Sequence, residues 1–291
     1  MKYKNNKYYV ENVSVEKISK KFDTPVFVYS YKKILENIKN FKSNFKKINP
    51  LICFSVKSNS NLSILKIIQK NGLGADVVSK GELMMSLKAG FNPKKIVFSG
   101  VGKTFEELNF AIEKKILLIN AESEAEILNI EKIARNKNAK VNIGLRLNPD
   151  TDAKTIKKIS TGKKEDKFGI DSKNLIRLIK KYKHSKFLKI VCLSAHIGSQ
   201  ISSYRPYLKM LNALQKCVNK SDHIFDFIDL GGGMGIKYND NDKNLNYKKY
   251  NLLINSFLKK NNTKIIFEPG RSIVGNTAVI LSKVIYVKKS K

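Results

Sequence analysis

The sequence predicts an α/β fold, a (β/α)8 TIM barrel with an incomplete second β-rich domain, on three observations. Short β-branched runs alternate with longer stretches of helical apolar period, the pattern of a parallel sheet with helical crossovers. The alternation repeats eight times, which favours a closed barrel over an open doubly wound sheet. The chemically unusual residues (Lys57, Asp76, Arg146, His196, Gly231 to Gly233 and Glu268) fall where strands end, and active sites of such barrels lie there.

In chain order, strands are expected at Leu51 to Ser55, Ala75 to Val78, Ile96 to Ser99, Leu117 to Asn120, Val141 to Leu147, Lys189 to Ala195, Phe227 to Leu230 and Ile265 to Phe267. Helical period follows most of them, at Leu62 to Gln69, Gly81 to Lys88, Thr104 to Glu113, Glu122 to Arg135, Asn174 to Tyr182, Tyr207 to Val218 and Tyr250 to Leu258. The polar stretch from Asn239 to Lys249 reads as a loop. Residues 1–30 form an N-terminal segment contributing to the β domain, residues 31–271 the barrel, and residues 272–291 the start of a C-terminal β domain whose remainder is absent. That last assignment rests on the apolar, β-prone run SIVGNTAVILSKVIYV, which no helix follows.

With 291 residues and 42% apolar content the chain can bury a full core as one large domain. The net charge of +32, from 56 Lys and Arg against 24 Asp and Glu, would ordinarily point to nucleic acid or an anionic membrane. Here the arginines are only Arg135, Arg146, Arg177, Arg205 and Arg271, and the lysines are spread over every helical stretch. Base and phosphate readers lean on Arg, so the excess reads as a solvated lysine surface, with no nucleic-acid partner expected. Cys53, Cys192 and Cys217 are isolated in apolar runs, which suits buried reduced thiols and a cytoplasmic location rather than a disulfide framework or a metal site. No apolar signal core or membrane-length run occurs, so no membrane partner is expected.

Lys57, in FSVKSNSN, follows an apolar strand, where partial desolvation would favour the neutral amine that attacks an aldehyde. Alone it would pass for one of many surface lysines, and its neighbours change the reading. IDLGGGMGI puts Gly231, Gly232 and Gly233 after a strand, where bare backbone N–H groups can approach a phosphate, although such glycines equally mark a tight turn. EPGRS offers a second half of the cup through Gly270 and the forked cation of Arg271. Glu268 suits the partner of a pyridine nitrogen, its competing role being a surface ion pair with Arg271. His196, in SAHIGSQ, could lie flat against a cofactor face, and Asp76 either positions other site groups or caps the following helix. Together these residues describe a pyridoxal 5'-phosphate (PLP) site, with Lys57 as its Schiff-base lysine.

The ordered set FSVKSN, GLGADVVSKGEL, TGKKEDKFGI, SAHIGSQ, IDLGGGMGI and EPGRSIVG resembles the diaminopimelate decarboxylases, members of the fold-type III PLP enzymes, from about Thr24 to Val287. The resemblance implies a homodimer with shared active sites and an amino-acid substrate. The implied reaction is decarboxylation of meso-2,6-diaminoheptanedioate to L-lysine and carbon dioxide, the last step of lysine biosynthesis. It implies that His196 stacks on the ring, Glu268 pairs with its nitrogen, Ser199, Gly233, Gly270 and Arg271 hold the phosphate or the substrate carboxylate, and Asp76 supports the site. Such enzymes continue into a β domain that supplies a cysteine and a tyrosine, so the chain reads as truncated at its C-terminus, as binding PLP weakly at best and as decarboxylating slowly or not at all. The alternatives are another basic amino-acid decarboxylase of this fold type (ornithine, arginine or carboxynorspermidine), an inactive PLP-binding fragment, and a basic interaction module.

Overall fold

The eight parallel pairings between consecutive barrel strands close with the last strand, Lys264–Phe267, against the first, Leu51–Ser55, where Ile266 and Phe267 lie opposite Leu51 and Ile52. The computed structural model describes residues 1–289. Its elements run β1 (Lys2–Lys4), β2 (Lys7–Val10), β3 (Val13–Ser14), α1 (Val15–Lys21), β4 (Val26–Tyr29) and α2 (Tyr31–Asn44) before the barrel. The barrel units follow as β5 (Leu51–Ser55), α3 (Leu62–Lys70), β6 (Gly74–Val77), α4 (Lys80–Ala89), β7 (Ile96–Phe98), α5 (Phe105–Glu113), β8 (Leu118–Ala121) and α6 (Glu124–Asn136). The second half comprises β9 (Val141–Arg146), α7 (Ser172–Tyr182), β10 (Leu188–Ser194), α8 (Arg205–Ser221), β11 (Phe227–Asp229), α9 (Tyr247–Leu258) and β12 (Lys264–Phe267). The short α10 (Arg271–Val274) and β13 (Ala278–Leu281) end the regular structure.

All eight expected strands and all seven expected helices are present, each within a few residues of its sequence limits. The helices start where side chains can satisfy free backbone N–H groups: Asn61, Ser79, Ser123, Asp171 and Asn246 cap α3, α4, α6, α7 and α9, and Thr104 closes a capping box with Glu107 at α5. Asp76 therefore does not cap α4.

Strand alternation sorts the barrel residues into two populations. Phe54, Val77, Phe98, Ile119, Leu145, Leu193 and Phe267 pack outward into the main core beneath the helices. Cys53, Val97, Leu118, Cys192 and Ile266 form a separate apolar layer inside the barrel. Two residues further along the same strands come Ser55, Ser99, Asn120, Ser194 and Glu268, a buried polar layer nearer the C-terminal mouth. A bulge between Ile190 and Cys192 re-phases β10, which keeps Cys192 and Ser194 in these layers.

The eighth helix of the ring is α2, which precedes the first barrel strand and packs beside α9 and α10. The sequence reading missed it because its polar face carries most of its residues. Phe45, at its C-terminal cap and fully buried, meets Phe267 of β12 at 4.4 Å between ring centroids, Phe41 at 5.1 Å, Tyr247 at 5.7 Å and Tyr250 at 6.1 Å.

The ends depart from the expectation of continuous β-prone sequence. Residues 271–274 are helical because Ile273 and Val274 are buried, and the Asn37 amide of α2 holds the Ile273 carbonyl at 2.8 Å. Only Ala278–Leu281 is strand, antiparallel to β4 with Ile280 opposite Phe27, and no regular element follows to residue 289. The first residues instead form their own antiparallel sheet, β1-β2-β3. Because Phe45 joins α2 to the closing strand, Phe45→Ala should cost about 3–5 kcal/mol in urea unfolding. A loss under about 1 kcal/mol would mean that α2 does not stabilise closure.

Candidate active site

The C-terminal mouth holds a cavity of about 480 Å³ lined by, among others, Lys57, Ser99, Asn120, Arg146, Phe168, His196, Ser199, Asp229, Gly231 and Glu268. Lys57 sits on the single helical turn Val56–Ser58 after β5 and is exposed rather than partly desolvated, because that turn carries the chain out of the barrel. Asp76, Gly232, Gly233, Gly270 and Arg271 do not line the cavity; they lie behind or beside it.

Three glycines after β11 are required by close approach. A Cβ on Gly231 would lie 2.4 Å from His196 Nδ1, one on Gly232 2.1 Å from the Glu268 carbonyl oxygen, and one on Gly233 2.2 Å from the Gly198 carbonyl oxygen. Their first role is thus to seat HIGSQ and EPGRS against the turn. The seams are hydrogen bonded: Ile201 N–H donates to Gly233 O at 2.9 Å, Glu268 N–H to Gly231 O at 2.9 Å, and Tyr207 OH to Gly232 O at 3.1 Å. Gln200, absent from the sequence-derived site, braces the same turn by donating to Ile236 O at 2.6 Å and accepting from Ile236 N–H at 3.2 Å.

His196 is half-buried, and its Nδ1 accepts from Gly232 N–H at 3.3 Å, which assigns the proton of the neutral ring to Nε2. Burial first, and then the charges of Lys57 and Arg146, push its pKa well below 6.5. Arg146 pairs with Glu122 at 2.7 Å and lies over the Phe168 ring. Arg271 makes no ion pair with Glu268 among the described residues. Its Nε donates to Ser199 Oγ at 3.3 Å and its Nη1 to Tyr238 OH.

The floor holds three buried carboxyls, of which the sequence reading named only Asp76 and Glu268. Asp76 accepts from Ser55 Oγ at 2.8 Å, and Glu268 from Ser99 Oγ at 3.2 Å. Burial raises the pKa of Asp76. Burial and then the charges of Asp229 and Asp76 lift Glu268 well above the carboxylate range, and burial brings Asp229 to about 6. Asp229, Ser99 and Asn120 were detectable as polar residues two positions beyond an inward apolar one.

These residues fit PLP: an amine at the cavity, a flat neutral imidazole, a buried carboxyl that keeps its proton, and glycine turns whose backbone a side chain would obstruct. The chain matches the family model described as pyridoxal-dependent decarboxylase, pyridoxal binding domain, over residues 31–275. It is 38% identical to the diaminopimelate decarboxylase of Zymomonas mobilis over 295 residues, covering 99% of this chain and 70% of that one. The chain belongs to the diaminopimelate decarboxylase family. Among solved members, the Helicobacter pylori enzyme complexed with L-lysine superposes with a TM-score of 0.91 at 39% identity, covering 94% of this chain and 70% of that one. The M. jannaschii enzyme gives 0.92 at 30% identity, covering 99% and 70%. Membership of this family makes the chain a PLP-dependent carboxy-lyase by fold and lineage.

The floor predicts a pH dependence of stability. Between 4.5 and the raised pKa of Glu268 the folded protein holds a proton that the unfolded chain has released, so stability falls as pH rises through that window. Asp229 acts in the same sense from 3.8 to about 6. His196 acts oppositely, its stability contribution being lost as pH falls below 6.5. Glu268→Gln should therefore gain on wild type by about 1 kcal/mol per pH unit above its unfolded pKa. Urea midpoints that keep a constant difference from about pH 5 to pH 8 would contradict a protonated Glu268.

Proposed function

We propose that this chain decarboxylates meso-2,6-diaminoheptanedioate to L-lysine and carbon dioxide, with PLP held on Lys57. The observation that carries this is the meeting of Lys57, His196 with its pKa pushed down and Glu268 with its pKa pushed up around one cavity in a chain of this family. L-Lysine, the product, accompanies the solved Helicobacter pylori and M. jannaschii relatives.

Bound here, PLP supplies an electron sink for the pair left when a carboxylate departs as carbon dioxide. The chain's own residues set that up. Lys57 Nζ is the tethering amine, free to yield to a substrate amine. His196 is oriented by Gly232 N–H, and burial with the nearby Lys57 and Arg146 charges disfavours its charged form, so it offers a ring face to a bound ring. Glu268 holds a proton at its carboxyl, where a pyridine nitrogen would share it. Gly231, Gly232, Gly233, Gly270 and Ser199 would hold the phosphate, and Arg271 the phosphate or the substrate carboxylate. Asp76 supports the floor.

The same proposal includes a cytoplasmic homodimer with shared sites, and a β domain to which residues 1–30 and 272–291 contribute. The β4–β13 pairing supports the domain, together with the exposed Phe27, Tyr29 and Ile280 and the exposed run Val284 to Val287. The free, buried Cys53, Cys192 and Cys217 suit a reducing compartment. No helix of the described residues is long and apolar enough to cross a membrane.

Borohydride reduction of the PLP-loaded chain, followed by peptide mapping, should mark Lys57, and Lys57→Ala should abolish the mark. Labelled carbon dioxide should be released from meso-2,6-diaminoheptanedioate in preference to ornithine or arginine. A mark on another lysine would overturn the site, and preference for ornithine or arginine would overturn the substrate.

A further inference from the structure

The acid at the end of β11 enters no step above, yet both of its carboxyl oxygens are hydrogen-bonded inside the barrel. Asp229 is 1% exposed. Its Oδ1 accepts from Gly231 N–H at 2.9 Å, and its Oδ2 accepts from Asn120 Nδ2 at 3.1 Å. The same Asn120 amide donates to Ser99 Oγ at 3.1 Å, which leaves the Ser99 proton for Glu268 Oε1 at 3.2 Å. The chain of bonds therefore crosses the barrel from β11 to β8, passes to the end of β7, and returns to the residue after β12.

The orientation of each member follows from Asp229. A carboxylate offers only acceptors, so Asn120 must turn its NH2 toward it, and its Oδ1 is left without a partner. That side-chain placement depends on β9 having no Cβ at Gly144, since one there would fall 2.0 Å from Asn120 Oδ1. An amide aimed this way can only donate to Ser99, whose own proton then goes to a neighbouring carboxyl, Glu268 at 3.2 Å, with Asp76 as its other partner. At its other end Asp229 holds Gly231, the residue against which His196 packs.

We propose that Asp229 is a positioning residue for the reaction: by direct contact and through Asn120 and Ser99 it aims the Glu268 carboxyl, and through Gly231 it fixes the turn that seats His196. One acid thus couples the Glu268 carboxyl to the seating of the His196 ring. The role in catalysis rests on the function proposed above, whereas the aiming of Glu268 is a property of the chain itself and can be read without turnover. The charged and titratable groups facing Glu268 are Asp229 on β11, which also shares a direct side-chain hydrogen bond with it, Asp76 on β6, Cys53 on β5, Cys192 on β10 and Lys57. Asp229→Asn should lower the pH at which Glu268 ionises, because a like charge is removed.

The decisive measurement is the infrared C=O stretch of the protonated Glu268 carboxyl, assigned by its loss in Glu268→Gln. Asp229→Asn cannot satisfy Gly231 and Asn120 together, because one of its side-chain atoms is a donor facing a donor. It should shift the band and move its pH profile downward. Ser99→Ala cuts the last link and should also shift the band, whereas Ser99→Thr, which keeps the hydroxyl, should leave it in place. In PLP-loaded protein the first two variants should lose kcat on the order of 100-fold with KM nearly unchanged. A band that stays put in Ser99→Ala, or in folded Asp229→Asn, overturns the proposal, as does the absence of any band that Glu268→Gln removes. Should Asp229→Asn not fold, the Ser99 pair decides. A shifted band in a chain whose Lys57 cannot be trapped would refute the function while supporting the positioning role.

Discussion

A closed eight-stranded barrel has an interior that only side chains can fill, and strand alternation assigns every second residue to it. Everything at the mouth of this protein depends on how that interior is divided. Cysteine and aliphatic side chains fill the lower layer, so the polar layer two residues higher is cut off from water on the side facing the barrel interior. Burial is then the first cause of the raised pKa values of Asp76, Asp229 and Glu268. A carboxyl whose pKa is held up is a consequence of layer position before it is a feature of any catalytic design.

Keeping three acids close together is destabilising unless protons and donors are shared among them. The barrel supplies short donors from neighbouring strand ends, Ser55, Ser99 and Asn120, and among the described residues no lysine or arginine forms an ion pair with the three. The cations stand at the rim instead: Lys57 on the exit turn, Arg146 tied to Glu122, and Arg271 tied to Ser199. Between floor and rim stand the His196 ring and the Gly231 turn. The glycines serve that arrangement through contact as much as through backbone exposure, since each faces a neighbouring atom too close for a side chain.

Much of the fold was legible because alternation, capping residues and helical period all agree from β5 to β12. The elements that were not legible are those whose pattern is set by partners far away in sequence. α2 reads as polar, yet Ile34, Ile38, Phe41 and Phe45 fill the place an eighth crossover helix would take. Residues 271–274 are β-prone by composition and helical because their apolar side chains find a pocket beside α2.

The sequence by itself determined the barrel, the strand-end placement of Lys57, Asp76, His196 and Glu268, and the family, since local period and ordered motifs are encoded along the chain. Only the tertiary structure decided that Lys57 is exposed, that Gly231 to Gly233 are packing glycines as well as a candidate cup, and that Asp229, Asn120 and Ser99 join the site. Those facts depend on which atoms meet across the barrel, between strands as far apart in sequence as Ser99 and Glu268, and nothing in a linear pattern specifies such distances.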